Sequence, residues 1–203
     1  MNIYFDCEFT GLHRNTTMIS IGMITENGRT FYAEFTDYDI NQCDDWIREN
    51  VLENLMFNKK DYLCKLRKDI MINSDYANIS SMLNTWLEQV RNGEEVQFVS
   101  DVCHYDMMLL IDLITNGGTA FNLTAFISPV CHDINQDIAE YYEITDKDAF
   151  DKSREEILND FKQTVDGAKH NSLYDAKVIM EIHKYINIMK FASSQRMRMK
   201  GEI

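Results

Sequence analysis

Proline is nearly absent from this chain, with Pro129 alone among 203 residues, and glycine is held to 8. That scarcity excludes a proline- or glycine-rich linker, and with a hydrophobic share of 45% it describes a compact folded chain rather than a disordered one. No apolar run approaches the roughly 20 residues that span a bilayer, and the start reads as a strand instead of a charged stretch leading into a signal core. A soluble, cytoplasmic protein with no membrane attachment is the expectation. Cysteine pairs at CxxC spacing are missing too. Cys7, Cys43, Cys64, Cys103 and Cys131 are dispersed and odd in number, which fits a reducing compartment, argues against zinc and leaves them as small core hydrophobes.

Positive charge is also in deficit: 20 Lys and Arg stand against 33 Asp and Glu, a net charge of −13. An acidic surface repels polyanions at long range and excludes tight, general binding of duplex DNA, but not a metal site that accepts a short single strand. Two basic clusters oppose the trend, Lys59, Lys60, Lys65, Arg67 and Lys68, then Lys190, Arg196, Arg198 and Lys200. Such runs are ordinarily solvated faces, with phosphate contact as the other reading.

The length suits one domain, residues 1–189, followed by a basic tail, 190–203. Strand patterns cover Ile3 to Phe9, Met18 to Thr25 and Thr30 to Phe35, the last two joined by the hairpin signal Asn27-Gly28. Helical spacing runs from Asp44 to Phe57 and from Ile79 to Val90, while 58–76 is ambiguous. Val96 to Val99 reads as a strand. Helices are expected over Tyr105 to Ile114, ended by Asn116-Gly117-Gly118, near Ile134 to Tyr142, over Ser153 to Thr164, and from about Leu173 to Met189. The order is three strands, then helix, strand, helix and further helices.

Three acidic motifs punctuate this order. In the first strand, side-chain alternation points Asp6 and Glu8 to one face, about 6.6 Å apart along the chain, while Ile3, Phe5, Cys7 and Phe9 face a core. Two neighbouring carboxylates in low dielectric repel unless a cation lies between them, and a divalent metal is the simplest choice. A surface strand whose polar face holds two acids fits this pair equally. The second motif places Asp106 in the first turn of a helix, where the positive helix end alone accounts for an acid. The third, His170 to Ala176, leads into the last long helix; Ser172 and Asp175 have capping-box spacing, so Asp175 also reads as a helix-start residue.

Taken together, the motifs FDCEFTGL, HYDMMLL and HNSLYDA resemble those of the DEDD superfamily of 3'–5' exonucleases, histidine subtype, which includes oligoribonuclease, RNase T and polymerase proofreading subunits. The segment Asp45 to Leu52 and the overall spacing are most similar to the small exoribonucleases first described in mycobacteria and found across bacteria and phages. The resemblance spans roughly residues 1 to 185. It implies an α/β fold of the RNase H-like kind, a mixed five-stranded sheet with its first three strands antiparallel, flanked by helices. It implies Asp6, Glu8, Asp106 and Asp175 as ligands of two Mg²⁺ or Mn²⁺ ions and His170 as general base. It also implies that Phe9, Thr10, Gly11 and Leu12 cradle the terminal nucleotide, with Leu12 wedged beside the base. For Phe9, plain core packing is the competing reading. His104 departs from the family's second motif, and Asp101 and Asp133 have no ligand position in it.

The activity so implied is release of nucleoside monophosphates from the 3' end of single-stranded nucleic acid, RNA ahead of DNA, with a homodimer allowed for. Two other readings stay open. A haloacid-dehalogenase-type phosphatase also begins with a hydrophobic strand ending in acid-x-acid and threonine, with Asp6 then a covalent nucleophile. A non-catalytic RNase H-like module would bind nucleic acid or a protein without turnover, although such domains usually lose one of the five polar groups present here.

Overall fold

The computed structural model describes residues 1–58 and 70–200 of the chain. The first basic cluster and Cys64 lie outside the described residues. Three successive strands, β1 (Asn2–Phe9), β2 (Met18–Thr25) and β3 (Thr30–Phe35), form an antiparallel meander. The Asn27-Gly28 turn closes it, with Gly28 at φ 81° and Thr25 N–H donating to Arg29 O. β4 (Ile70–Ser74) runs parallel to β3, β5 (Gln97–Ser100) parallel to β1, and the two-residue β6 (His132–Asp133) parallel to β5. Among the described residues the sheet is therefore mixed and has six strands in the order β4-β3-β2-β1-β5-β6, one more than expected. β4 fell at the edge of the ambiguous stretch. β6 is too short to carry an alternation pattern.

Alternation along the strands divides the core between two faces. Ile3, Phe5 and Cys7 of β1 pack with Ile21, Met23, Phe31 and Ala33 beneath α2 (Tyr76–Val90) and α3 (Cys103–Thr115). Tyr4 and Ile24 face the other way, against α4 (Ile134–Tyr142), α6 (Arg154–Asp160) and α7 (Ser172–Lys200). α7 lies across β1 and β2. It continues through residues 190–200, and Lys190 is built into the fold through ion pairs to Asp137 and Glu140.

The helix expected from Asp44 to Phe57 is shorter. It forms α1 (Asp45–Asn50) and then a 3-10 turn at Leu52–Asn54. Asn50 donates its side-chain amide to Trp46 O, and Asn54 donates to Asn50 O, so side chains compete for the carbonyls that would continue the helix. α5 (Asp146–Asp151), not foreseen, is a short helix capped by Thr145. α6 stops at Asp160, before Thr164, and Lys162 follows with φ 55°.

One contact sets how closely α7 approaches the sheet. Gly22 lies opposite Asp6 in the β1–β2 register, and a Cβ there would come within 2.2 Å of Leu173 N and 2.3 Å of Ser172 C. Backbone occupies that space, so no side chain can move aside. Beside it, the buried hydroxyls of Ser20 and Ser172 meet at 3.0 Å. Gly22→Ala is expected to cost about 1–3 kcal/mol by overpacking, read as a lower midpoint in urea unfolding; an unchanged midpoint would show that the helix start is free to shift.

Candidate active site

On β1, the side-chain column that faces α7 begins with Tyr4 and continues as Asp6 and Glu8. α7 starts over this column, and Asp175 lies in its first turn. Carboxylate oxygens of Asp6, Glu8 and Asp175 all lie within 4.8 Å of one another. Asp106 enters from the first turn of α3 and is buried, with Oδ2 accepting from Ser100 Oγ at 3.4 Å. Among the described residues its Oδ1 is buried with no hydrogen-bond partner. A register shift between Glu8 and Phe9 ends the regular pairing at the site, where bulges commonly redirect side chains.

Burial and mutual repulsion raise the proton affinity of the whole group. Asp6 is held well above the ordinary carboxylate range, first by desolvation and then by Asp106, Asp175 and Glu8. Glu8 is raised likewise by burial, Asp175 and Asp106. Burial, then Asp101, pushes Asp106 up to about 8 and Asp175 up to about 7. Converging carboxylates with an orphaned buried oxygen form an all-oxygen donor set, which fits hard divalent cations such as Mg²⁺ or Mn²⁺. Asp101 and Asp133 are engaged elsewhere: Asp101 pairs with Arg154 Nε at 3.0 Å, and Asp133 caps α4 through Asn135 N–H at 2.9 Å.

Asp175 does lie at the helix start, and the local geometry corrects only which residue caps it. Asn171 caps α7, its Oδ1 accepting from Tyr174 N–H at 3.2 Å, while Ser172 is turned to Ser20. Asp175 is thus released from capping, and its carboxylate lies with those of Asp6 and Glu8. His170 itself has φ 61°, in the left-handed region that costs a non-glycine residue energy. Burial and then Lys169 lower its pKa, so the imidazole is neutral near pH 7. Its ring meets Trp46 edge-on at 5.0 Å between centroids.

Trp46 was legible in the sequence only as part of a helical stripe. Trp46 lies in the first turn of α1, and its indole is 53% exposed beside His170. The two segments are tied together: Asn54 Nδ2 donates to Lys169 O at 3.0 Å and Asn171 Nδ2 donates to Asn54 O at 3.0 Å. Gly22 and Asn171 were likewise missed. A glycine inside an apolar strand was the available signal for the first.

At the end of β1, Phe9 packs partly on the core and stacks on Tyr105 at 5.5 Å, 22° between planes. The Thr10 hydroxyl is buried in its own loop, donating to Gln42 Oε1 at 2.6 Å and accepting from Thr17 N–H at 2.9 Å. Gly11 has φ 148°, which a side chain would strain, and Leu12 is 76% exposed. His104 is exposed. Cys7 and Cys43 are buried as expected of small hydrophobes, but Cys103 and Cys131 are half-buried with their sulfurs 2.9 Å apart.

The family described as the 3'-5' exoribonuclease Rv2179c-like domain matches residues 1–187. Curated relatives include the 3'-5' exoribonuclease Rv2179c of Mycobacterium tuberculosis (strain ATCC 25618 / H37Rv), 36% identical over 55 residues, 27% of this chain; the match spans 33% of the relative's length. Among solved structures, the nuclease domain of 3'hExo, a DEDDh family member bound to rAMP, superposes with TM-score 0.59 at 14% identity, over 93% of this chain and 91% of that one. Pop2p of S. pombe, in its Mg²⁺- and Mn²⁺-bound form, gives 0.55 at 17%, over 92% and 82%. At such identities the likeness is one of fold, the RNase H-like fold of these nucleases.

The repulsion has a measurable sign. Folded Asp106 and Asp175 keep protons up to about 8 and about 7, whereas an unfolded carboxyl releases its proton near about 3.9. The folded state therefore binds more protons, and the metal-free protein loses stability as pH rises through that window. Asp106→Asn in metal-free protein is expected to melt at least about 2 °C higher than the parent at pH 8, the equivalent of about 1 kcal/mol, with a smaller gap at pH 5. A variant no more stable than the parent at pH 8 would mean that the acids do not repel.

Proposed function

Since the chain belongs to the Rv2179c-like 3'-5' exoribonuclease domain family, we propose that it is a metal-dependent 3'–5' exonuclease, trimming single-stranded RNA from the 3' end to nucleoside monophosphates. The observation that carries this reading is the convergence of Asp6, Glu8 and Asp175 oxygens within 4.8 Å, beside the unpartnered Oδ1 of Asp106. Asp6, Glu8, Asp106 and Asp175 hold two Mg²⁺ or Mn²⁺ ions. When bound, the ions supply Lewis-acid chemistry that acidifies the attacking water and stabilises charge on the departing 3'-oxygen. The four carboxylates set the charge of the site, and their neutralisation by cations allows an acidic protein to accept a phosphate.

His170 takes the proton of the attacking water. Its lowered pKa keeps the imidazole neutral, the form a base needs. Its loop brings the ring from Trp46 to the scissile phosphate when substrate is present. The Phe9–Tyr105 stack and exposed Leu12 border the place for the last nucleotide, and contacts to sugar and base face suit trimming without a fixed sequence. The backbone at Gly11 permits close approach.

RNA is favoured by the exoribonuclease relatives and by structural neighbours described with rAMP and with a histone mRNA stem-loop. A phosphatase using Asp6 as nucleophile fits less well, because carboxylate oxygens of Glu8 and Asp175 crowd that carboxyl. Among the described residues no helix is long and apolar enough to cross a membrane. A single domain over 1–189, a cytoplasmic location and a homodimer complete the proposal.

Incubation of 5'-labelled single-stranded RNA and DNA with protein and Mn²⁺ or Mg²⁺ is expected to give a ladder shortening from the 3' end, faster on RNA and absent with Asp6→Asn or chelator. Intact substrate under every condition would rule the activity out. His170→Ala is expected to lower kcat at least about 100-fold while the melting-temperature rise on adding Mn²⁺ is retained; loss of that rise would make His170 a ligand instead of a base.

A further inference from the structure

A second group of metal-binding side chains lies further along α7. His183 follows Asp175 by two helical turns, about 12 Å along the axis, and meets His132 of β6 and Asp137 from the first turn of α4. One ligand atom from each lies within 4.8 Å of the other two. Asp137 Oδ2 is shared: His132 Nε2 is 2.5 Å away and His183 Nε2 is 3.8 Å away. The His132–Asp137 pair alone explains an ion pair. His183 adds a second imidazole close to the same oxygen, outside hydrogen-bond range of it.

The surroundings orient these groups as outer partners orient ligands. Tyr4 OH lies 3.0 Å from His183 Nδ1, and Asn187 Nδ2 lies 3.1 Å from Nε2. An amide donor at Nε2 places the ring proton on Nδ1 and occupies the Nε2 lone pair, which a metal ion would take over from Asn187. Lys190 Nζ holds the other carboxylate oxygen, Oδ1, at 2.8 Å. A cleft of about 460 Å³ adjoins the group, lined by Cys131, His132, Gln136 and His183 among others, and gives solvent a route to it. Two imidazoles and one carboxylate suit Zn²⁺, whose nitrogen ligands sit at about 2.0–2.1 Å, so that neighbouring ligand atoms are roughly 3.3 Å apart. The observed 2.5 and 3.8 Å separations bracket that value.

We propose that His132, Asp137 and His183 form a zinc site, distinct from the acid cluster, that clips the edge strand β6 and helix α4 to α7. The lack of a CxxC pair counted against zinc in the sequence, but this donor set needs no thiolate. His132 and Asp137 come from adjoining elements and His183 from α7, far along the chain, so the ion acts as a cross-link of the folded state and leaves a fourth position open to the cleft.

The test uses the full chain carrying Asp6→Asn and Glu8→Gln, stripped of metal, so that the acid cluster does not compete. Titration with Co²⁺ is expected to give visible d–d bands saturating at one equivalent, and Zn²⁺ to displace it. At roughly a hundredfold excess over Kd, Zn²⁺ should raise the melting temperature by about 5–10 °C. His132→Gln keeps a donor for Asp137 but removes the imidazole, and His183→Gln removes the second; each is expected to weaken binding at least about 10-fold. His132 is half-exposed, so its variant carries the test if His183→Gln fails to fold. No saturable binding, affinity unchanged in His132→Gln, or an intense near-ultraviolet thiolate band that places the ion on Cys103 and Cys131 would each overturn the site.

Discussion

Four carboxylates brought close together repel one another, and the docking of α7 on β1 and β2 is what brings Asp175 to Asp6 and Glu8. The first turn of that helix rests on Gly22, is pinned by the Ser20–Ser172 hydroxyl pair, and carries Asp175 to Asp6 and Glu8. Further along, Val178, Ile179, Ile182 and Ile186 bury their side chains in the core shared with Tyr4 and Ile24. Hydrophobic burial along one helix thus offsets electrostatic cost at its beginning. A cation between the acids would remove that cost.

The site divides between rigid and local parts. The acids stand on a central strand and on the first turns of two helices, where packing limits their movement. His170 and Leu12 stand on loops. His170 holds a left-handed backbone against Trp46, and its loop is tied by Asn54 and Asn171 to the turn after α1. The acids that gather charge are fixed by packing, whereas His170 and Leu12 sit on loops, where small rearrangements cost less.

The same side-chain chemistry is tuned in opposite directions within one fold. Asp106, buried among acids, is pushed up to about 8. Burial alone would also raise Asp137, but hydrogen bonds from His132 and Lys190 outweigh it and hold that carboxyl at about 2. Burial pushes both aspartates up, and their neighbours either add to it, as acids do around Asp106, or outweigh it, as His132 and Lys190 do around Asp137. This is why a net-acidic chain contains both a cation-seeking cleft and a carboxylate already shared among bases.

Much of this was legible in the residues. Alternation placed Asp6 and Glu8 on one face of β1 with Ile3, Phe5 and Cys7 on the other, and a helix-start position was evident for Asp106. Short elements escaped: β6 has two residues, too few for periodicity, and the Asn50 and Asn54 amides cut a helix whose apolar spacing ran on. Capping by Asn171 in place of Ser172, and exposure of Trp46 beside His170, depend on contacts between distant segments. By itself, then, the sequence determined which acids share a strand face and where helices begin, because backbone geometry sets those relations over a few residues. Only the tertiary structure decided that Asp175 reaches Asp6 and that His183 faces His132, because helix docking is governed by packing of residues far apart in the chain, down to the missing side chain of Gly22.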